Sequence, residues 1–241
     1  MVTRELAPGS VTRDTPMSPE YRKNLLKLLA DHARAELWAA HTYSSWVPRA
    51  PGPDEKVHMA HIAHEEAEHW YRCILLLGDL GVPSKEARRH ESQHWFYRTI
   101  NLVFPSLNWL DVLMLTFLID RGAYFLIEDY AQSSYAPWMQ MSRQILSEEE
   151  GHVDFGSGRL RAMMENGNKA RIQAAMNRWW RVALNMFGPP RTKNTDLYIR
   201  LGLKFRTNED RRQAYIRDAQ PQILALGLQV PKLYRQSYPF L

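Results

Sequence analysis

The chain has 241 residues, 45% of them hydrophobic and 24% charged, with a formal net charge of +5. Its one cysteine, Cys73, excludes an internal disulfide framework, and its longest uncharged apolar run, Val112–Ile119, is far short of the roughly 20 residues of a helical membrane span. Residues 1–18 lack the apolar core of a secretion signal, no Gly/Ser/Pro-rich linker divides the chain, and the scattered basic residues match no nucleic-acid motif. The expectation is therefore one large cytoplasmic domain with neither nucleic acid nor membrane as partner.

Residues 1–17 read as an N-terminal arm. Ser18-Pro19 is a helix start, with serine as N-cap and proline in the first turn. The first predicted helix runs to about Trp46 and stops before Pro48. Leu25, Leu29, Ala33, Glu36, Ala40 and Tyr43 fall on one stripe, so Glu36 interrupts an apolar face. A carboxylate there is costly unless it is paired or bound to metal.

Asp54 is the expected cap of a second helix over 54–79, whose inward stripe is Met59, Ile62, Glu66, His69, Cys73 and Leu76. Residues 81–107 form a long aromatic-rich connection with a short helix near 84–96, the crossover that a ferritin-like bundle needs between its hairpins. Asn108 and Asp111 form a capping box for a third helix to about Ala131, with Leu113, Phe117, Asp120, Tyr124 and Ile127 on one face. A turn at Ser133–Pro137 leads to a fourth helix over 137–165, with the stripe Ser142, Ile145, Glu149, His152 and Gly156. A fifth helix spans 169–187, and a last one starts at Thr207 and breaks near Pro221. No useful strand alternation is present, so the fold class is all-α: a four-helix core over 18–165, with additional C-terminal helices over 166–241.

Two of these stripes repeat one pattern. Glu66/His69 and Glu149/His152 are both Glu-x-x-His, and residues three apart project from the same helix face. A bundle that adds one carboxylate from each of two other helices has the di-iron carboxylate arrangement. In an antiparallel hairpin, residues at one height are equally far from the turn. Glu36 and Glu66 are 30 residues apart, centred on Pro51; Asp120 and Glu149 are 29 apart, centred in the Ser133–Pro137 turn. Glu128 is the rival carboxylate, but it lies eight residues from Asp120, about 12 Å along a helix. The expected ligands are Glu36, Glu66, His69, Asp120, Glu149 and His152.

Four carboxylates neutralise two divalent cations, and a carboxylate-rich set suits iron, manganese or a mixed pair better than zinc. Glu65 and Glu148 precede His69 and His152 by one turn, where they can hydrogen-bond the non-ligating imidazole nitrogens. Tyr43, Ile62, Phe117, Tyr124 and Ile145 flank the ligands as candidate pocket residues, with core packing as the alternative. His41, His58, His61, His64, His90 and His94 have no comparable context and read as surface or packing residues.

Further stretches carry a resemblance: Trp46-x-x-Arg49-Ala50-Pro51, Ser134-Tyr135-x-Pro137, Glu148-Glu149-x-x-His152, Asn177-Arg178-x-Trp180, Met186-Phe187-Gly188-Pro189 and Thr207-Asn208-Glu209. Over roughly Pro19–Pro231 the chain resembles the catalytic subunits of ring-1,2-phenylacetyl-CoA epoxidase, ferritin-like bacterial multicomponent monooxygenases. The family's metal ligands fall on the six positions above, an aspartate at Asp120 included. Where the family bridges the site with a lysine–glutamate pair, this chain has Ile62 and Tyr43. Its Pro190-Arg191-Thr192-Lys193 also replaces an acidic, asparagine-rich segment.

The resemblance implies a di-iron oxygenase that activates O2 to epoxidise or hydroxylate an organic substrate, an aromatic acyl-CoA being the class the family takes. Electrons come from a separate reductase, since the chain has no flavin, NAD or iron–sulfur motif, and a homo- or hetero-oligomer is expected. The alternatives are iron storage, an accessory subunit of an oxygenase, or another di-metal reaction such as peroxide reduction, aldehyde deformylation or RNA-base hydroxylation. The complete ligand set argues against a structural subunit, and the extra C-terminal helices argue against a storage cage.

Overall fold

A computed structural model describes residues 3–83, 85, 100 and 106–232. The described residues form α1 (Pro19–Ser44), α2 (Pro53–Asp79), α3 (Trp109–Met114), a π-helical turn (Leu115–Asp120), α4 (Arg121–Tyr130), α5 (Ala136–Glu165), α6 (Lys169–Asn185), α7 (Lys193–Arg200) and α8 (Asn208–Ala225). The only extended pairing among them is an isolated bridge between Val11 and Tyr135. The crossover expected over 81–107, with its short helix near 84–96, lies almost wholly outside the described residues, as do His90 and His94.

Two compact units divide the chain. One holds Leu6–Pro105 and Ser133–Met141, and the other Met1–Glu5, Ser106–Gln132 and Ser142–Leu241. In the first unit, α1 begins where Ser18 Oγ accepts from the Tyr21 N–H at 3.1 Å, with Pro19 in the first turn. α2 starts one residue earlier than expected: Gly52 is the N-cap and gives no side-chain bond, while Asp54 sits in the first turn, where its charge favours the helix dipole. The α1 and α2 stripes are buried from end to end, Glu36, Glu66 and His69 included. The arm is tied down, since Gly9 and Val11 donate to Ser133 O and Ser134 O at 2.9 Å.

In the second unit, Asn108 and Asp111 form the expected capping box of α3. The unexpected feature is the π-helical turn that ends at Asp120. It lies against Gly156 of α5 so closely that a Cβ there would stand 2.3 Å from Thr116 Oγ1 and 2.9 Å from the Phe117 nitrogen. Such turns interrupt an α-helix where a special placement of side chains is required. Tyr215 of α8 donates to the Leu118 carbonyl at 3.1 Å, and burial pushes its pKa far up, so the hydroxyl stays protonated.

The C-terminal helices cover this rod. Trp179 Nε1 donates to Asp111 Oδ1 at 2.9 Å, and Trp180 stacks on Tyr215 with ring centroids 5.6 Å apart. α7 escaped the sequence reading because it is one short segment behind Pro189-Pro190; Thr192 caps it, accepting from the Thr195 N–H at 3.0 Å. α8 does not break at Pro221. Proline forfeits one backbone bond, but Pro221 is solvent-exposed and one turn from the helix end, while Ile216, Ala219 and Ile223 stay buried on the inner face. Arg211 pairs with Asp129, and both are fully buried.

Candidate metal centre

Each unit carries one buried triad of two carboxylates and an imidazole. In the first, α1 supplies Glu36 and α2 supplies Glu66 and His69; each offers a ligand atom within 4.8 Å of the others. His69 Nδ1 lies 3.7 Å from Glu36 Oε2 and 3.9 Å from Glu66 Oε2. In the second, the π-helical turn supplies Asp120 and α5 supplies Glu149 and His152. His152 Nδ1 lies 3.7 Å from Glu149 Oε2 and 4.0 Å from Asp120 Oδ2. Both motifs thus turn the same imidazole nitrogen towards two carboxylates.

These distances suit an ion better than direct bonding. Hydrogen bonds from nitrogen to oxygen close to about 2.7–3.2 Å. Nitrogen and oxygen donors sit about 2.0–2.2 Å from a small divalent cation, so two donors sharing one ion are about 3–4 Å apart. Burying two carboxylates beside each other is also costly without a cation. The donor chemistry of each triad therefore fits a hard or borderline metal.

Glu128, the rival to Asp120, points elsewhere: Arg206 Nη2 donates to its Oε2 at 2.6 Å. Glu65 is half-buried, with Oε1 3.3 Å from Nε2 of the exposed His61, and Glu148 is half-buried on α5. Tyr43, Ile62, Phe117 and Ile145 are buried. Tyr124 is half-exposed and lines a cavity of about 540 Å³ with Arg121, Phe125, Glu150, Asp154 and Asp218. Burial raises the Tyr124 hydroxyl's pKa, and Glu150, Glu128 and Asp218 add to it. Its wall carries three carboxylates and two guanidiniums, those of Arg121 and Arg161. His41, His58, His61 and His64 are exposed, as expected.

One residue at this centre escaped the sequence reading. His32, one turn before Glu36 on α1, is buried, and its Nε2 lies 2.5 Å from Glu36 Oε1. Trp138 Nε1 lies 3.3 Å from His32 Nδ1, and Cys73 Sγ is 3.7 Å from the same nitrogen. An indole N–H only donates, so Nδ1 presents a lone pair and the proton sits on Nε2, from which it is donated to Glu36. Burial opposes charge on both partners. At Glu36 it is outweighed by attraction to and hydrogen bonding from His32, which hold the carboxyl well below its ordinary range. At His32 burial is outweighed by Cys73 and Glu36, which raise the imidazole well above its usual value. The indole N–H opposes a second proton on Nδ1, while the Nε2–H donated to Glu36 is present in either protonation state. The i, i+4 spacing of His32 and Glu36 was the available signal.

Comparisons with known proteins find relatives of this chain by sequence and by fold. The chain is 25% identical over 241 residues to the A subunit of 1,2-phenylacetyl-CoA epoxidase of Escherichia coli (strain K12), covering 96% of this chain and 78% of that protein. Among solved structures it is similar to "Protein 19 with aldehyde deformylating oxidase activity from Synechococcus", at 17% identity and a TM-score of 0.64, covering 88% of this chain and 94% of that one. That likeness speaks to the fold alone and bears out the all-α, ferritin-like architecture. Residues 3–238 match the family described as phenylacetic acid catabolic protein, PaaA_PaaC, and the chain belongs to that family.

Proposed function

We propose that Glu36, Glu66, His69, Asp120, Glu149 and His152 are the ligands of a dinuclear metal centre. The observation that carries this reading is the duplication: each triad has two carboxylates and one imidazole, the same Glu-x-x-His spacing and the same imidazole nitrogen turned towards the carboxylates. Four carboxylates balance the charge of two divalent ions, and iron is the metal this donor set and the family favour, with manganese or a mixed pair as alternatives. Two bound irons supply the redox chemistry that activates O2.

The protein's own part is positional. The His32 N–H fixes one oxygen of Glu36, leaving Oε2 for the metal, and Trp138 holds the imidazole in the tautomer that does this. Glu65 and Glu148 are proposed to orient His69 and His152. Tyr43, Ile62, Phe117 and Ile145 give the centre an apolar surround that excludes water, which favours attack on a substrate over loss of the oxidant.

The reaction that fits is oxygenation of an organic substrate, by epoxidation or hydroxylation. An aromatic acyl-CoA is the substrate class, by analogy with the Escherichia coli relative. A separate reductase supplies the electrons, and further subunits complete the complex. The test is anaerobic loading with Fe(II), metal quantification, then exposure to O2. Two irons per chain and O2-dependent oxidation support the centre; zero or one iron, with no reaction, refutes it.

A further inference from the structure

The outward face of α2 carries a second pattern that the metal centre does not use. Val57, His61, His64, Glu68, Tyr71 and Leu75 are all exposed and follow one another by four, three, four, three and four residues. That is the 3–4 spacing of one helix face, the register in which paired helices meet, with large apolar residues at three of its six positions. Val57 is 67% exposed, Tyr71 54% and Leu75 50%, three of the four exposed large hydrophobics found among the described residues. All three lie on one face of α2, with Tyr71 and Leu75 one turn apart.

The seam is also self-complementary. Val57 and Leu75 lie nine residues to either side of position 66 and are both aliphatic. His61 and Tyr71 lie five to either side and are both aromatic. His64 and Glu68 lie two to either side, an imidazole and a carboxylate. Within the chain, His64 Nε2 stands 3.7 Å from Glu68 Oε1. A second α2 laid antiparallel across the same point would bring every member onto its complement. Val57 would meet Leu75 of the other copy, His61 would meet Tyr71, and His64 would meet Glu68, each contact occurring twice. Isologous two-fold interfaces require this relation of a surface to itself.

We propose that this face of α2 is the interface with a second copy of the chain, paired antiparallel about a two-fold axis beside residue 66. The pairing leaves Glu66 and His69 on the opposite, buried face, so it joins two chains without occupying the metal centre.

The test uses the full-length protein. Light scattering after gel filtration should give twice the 28.2 kDa chain mass. Leu75→Glu, and separately His64→Glu, which sets a new carboxylate against Glu68 of the other copy, should each shift the monomer–dimer midpoint about tenfold or more. His64→Glu with Glu68→Lys should restore it, because the swap rebuilds each pair. Orientation is read by oxidative cross-linking. Val57 and Leu75 are 18 residues apart, about 27 Å along the helix, too far for a bond within one chain. The double variant Val57→Cys/Leu75→Cys should cross-link into dimers, whereas either single variant should not. A monomer at every concentration, a dimer indifferent to Leu75→Glu and His64→Glu, or cross-linking of Val57→Cys alone would each overturn the proposal. Unchanged metal content in the variants separates any of these results from failure of the metal centre.

Discussion

Replacing His32 by alanine removes the hydrogen bond that holds Glu36 Oε1. Both partners are buried and 2.5 Å apart, and the acceptor is charged. A bond of that kind contributes about 1.5–3 kcal/mol net. At about 1.4 kcal/mol per decade, its loss corresponds to roughly a tenfold to hundredfold weaker hold on the ion that Glu36 binds. The range found for removing the outer partner of a metal ligand is the same, about 10–100-fold. Anaerobic Co(II) titration against a competing chelator should therefore show the ion held by Glu36 bound roughly tenfold to hundredfold more weakly than in the wild type, with the other ion unchanged. His32→Gln, whose side-chain amide can offer an N–H to the same carboxylate, should recover most of the loss. Trp138→Phe keeps the imidazole but frees its tautomer, and should fall between wild type and His32→Ala. Unchanged Co(II) affinity in His32→Ala would refute the reasoning, as would His32→Gln behaving no better than alanine.

Glu66→Ala or Glu149→Ala should lower the metal content below two ions per chain while circular dichroism stays helical; full retention in both would sink the ligand assignment. Glu128→Ala should keep both ions, because that carboxylate is held by Arg206, and loss of one ion would reopen the choice of Asp120. Gly156→Ala drives a Cβ into Thr116 and the Phe117 nitrogen, and should cost about 1–3 kcal/mol or more in urea unfolding, since the backbone cannot give way cheaply. Asp129→Ala leaves Arg211 buried without its partner's charge; the expected loss is about 3–5 kcal/mol, and a loss under about 1 kcal/mol would mean the pair is not sealed from water.

Features set by neighbours along the chain were legible in the sequence. A helix repeats every 3.6 residues, so the apolar stripes of α1, α2 and α5 could be read off and are buried as expected. The capping box at Asn108 and Asp111 likewise depends on four consecutive residues. The exceptions were a competition between adjacent caps, a short helix behind two prolines, and a proline tolerated through packing. Gly52 rather than Asp54 caps α2, and Pro221 is carried through by the packing of Ile216, Ala219 and Ile223.

By itself the sequence determined the long helices, their buried faces and the duplicated Glu-x-x-His pattern, because each follows from the geometry of one helix. Tertiary structure alone decided what lies beyond that range. Trp138 reaches His32 from 106 residues away, and no local rule ties an indole to that imidazole or selects its tautomer. The π-helical turn ending at Asp120 sits where Gly156 lets α5 approach Thr116, a contact between segments 40 residues apart. Backbone hydrogen bonds and side-chain period act over a few residues, whereas the placement of Glu36 and Asp120 depends on which distant surfaces pack against their helices.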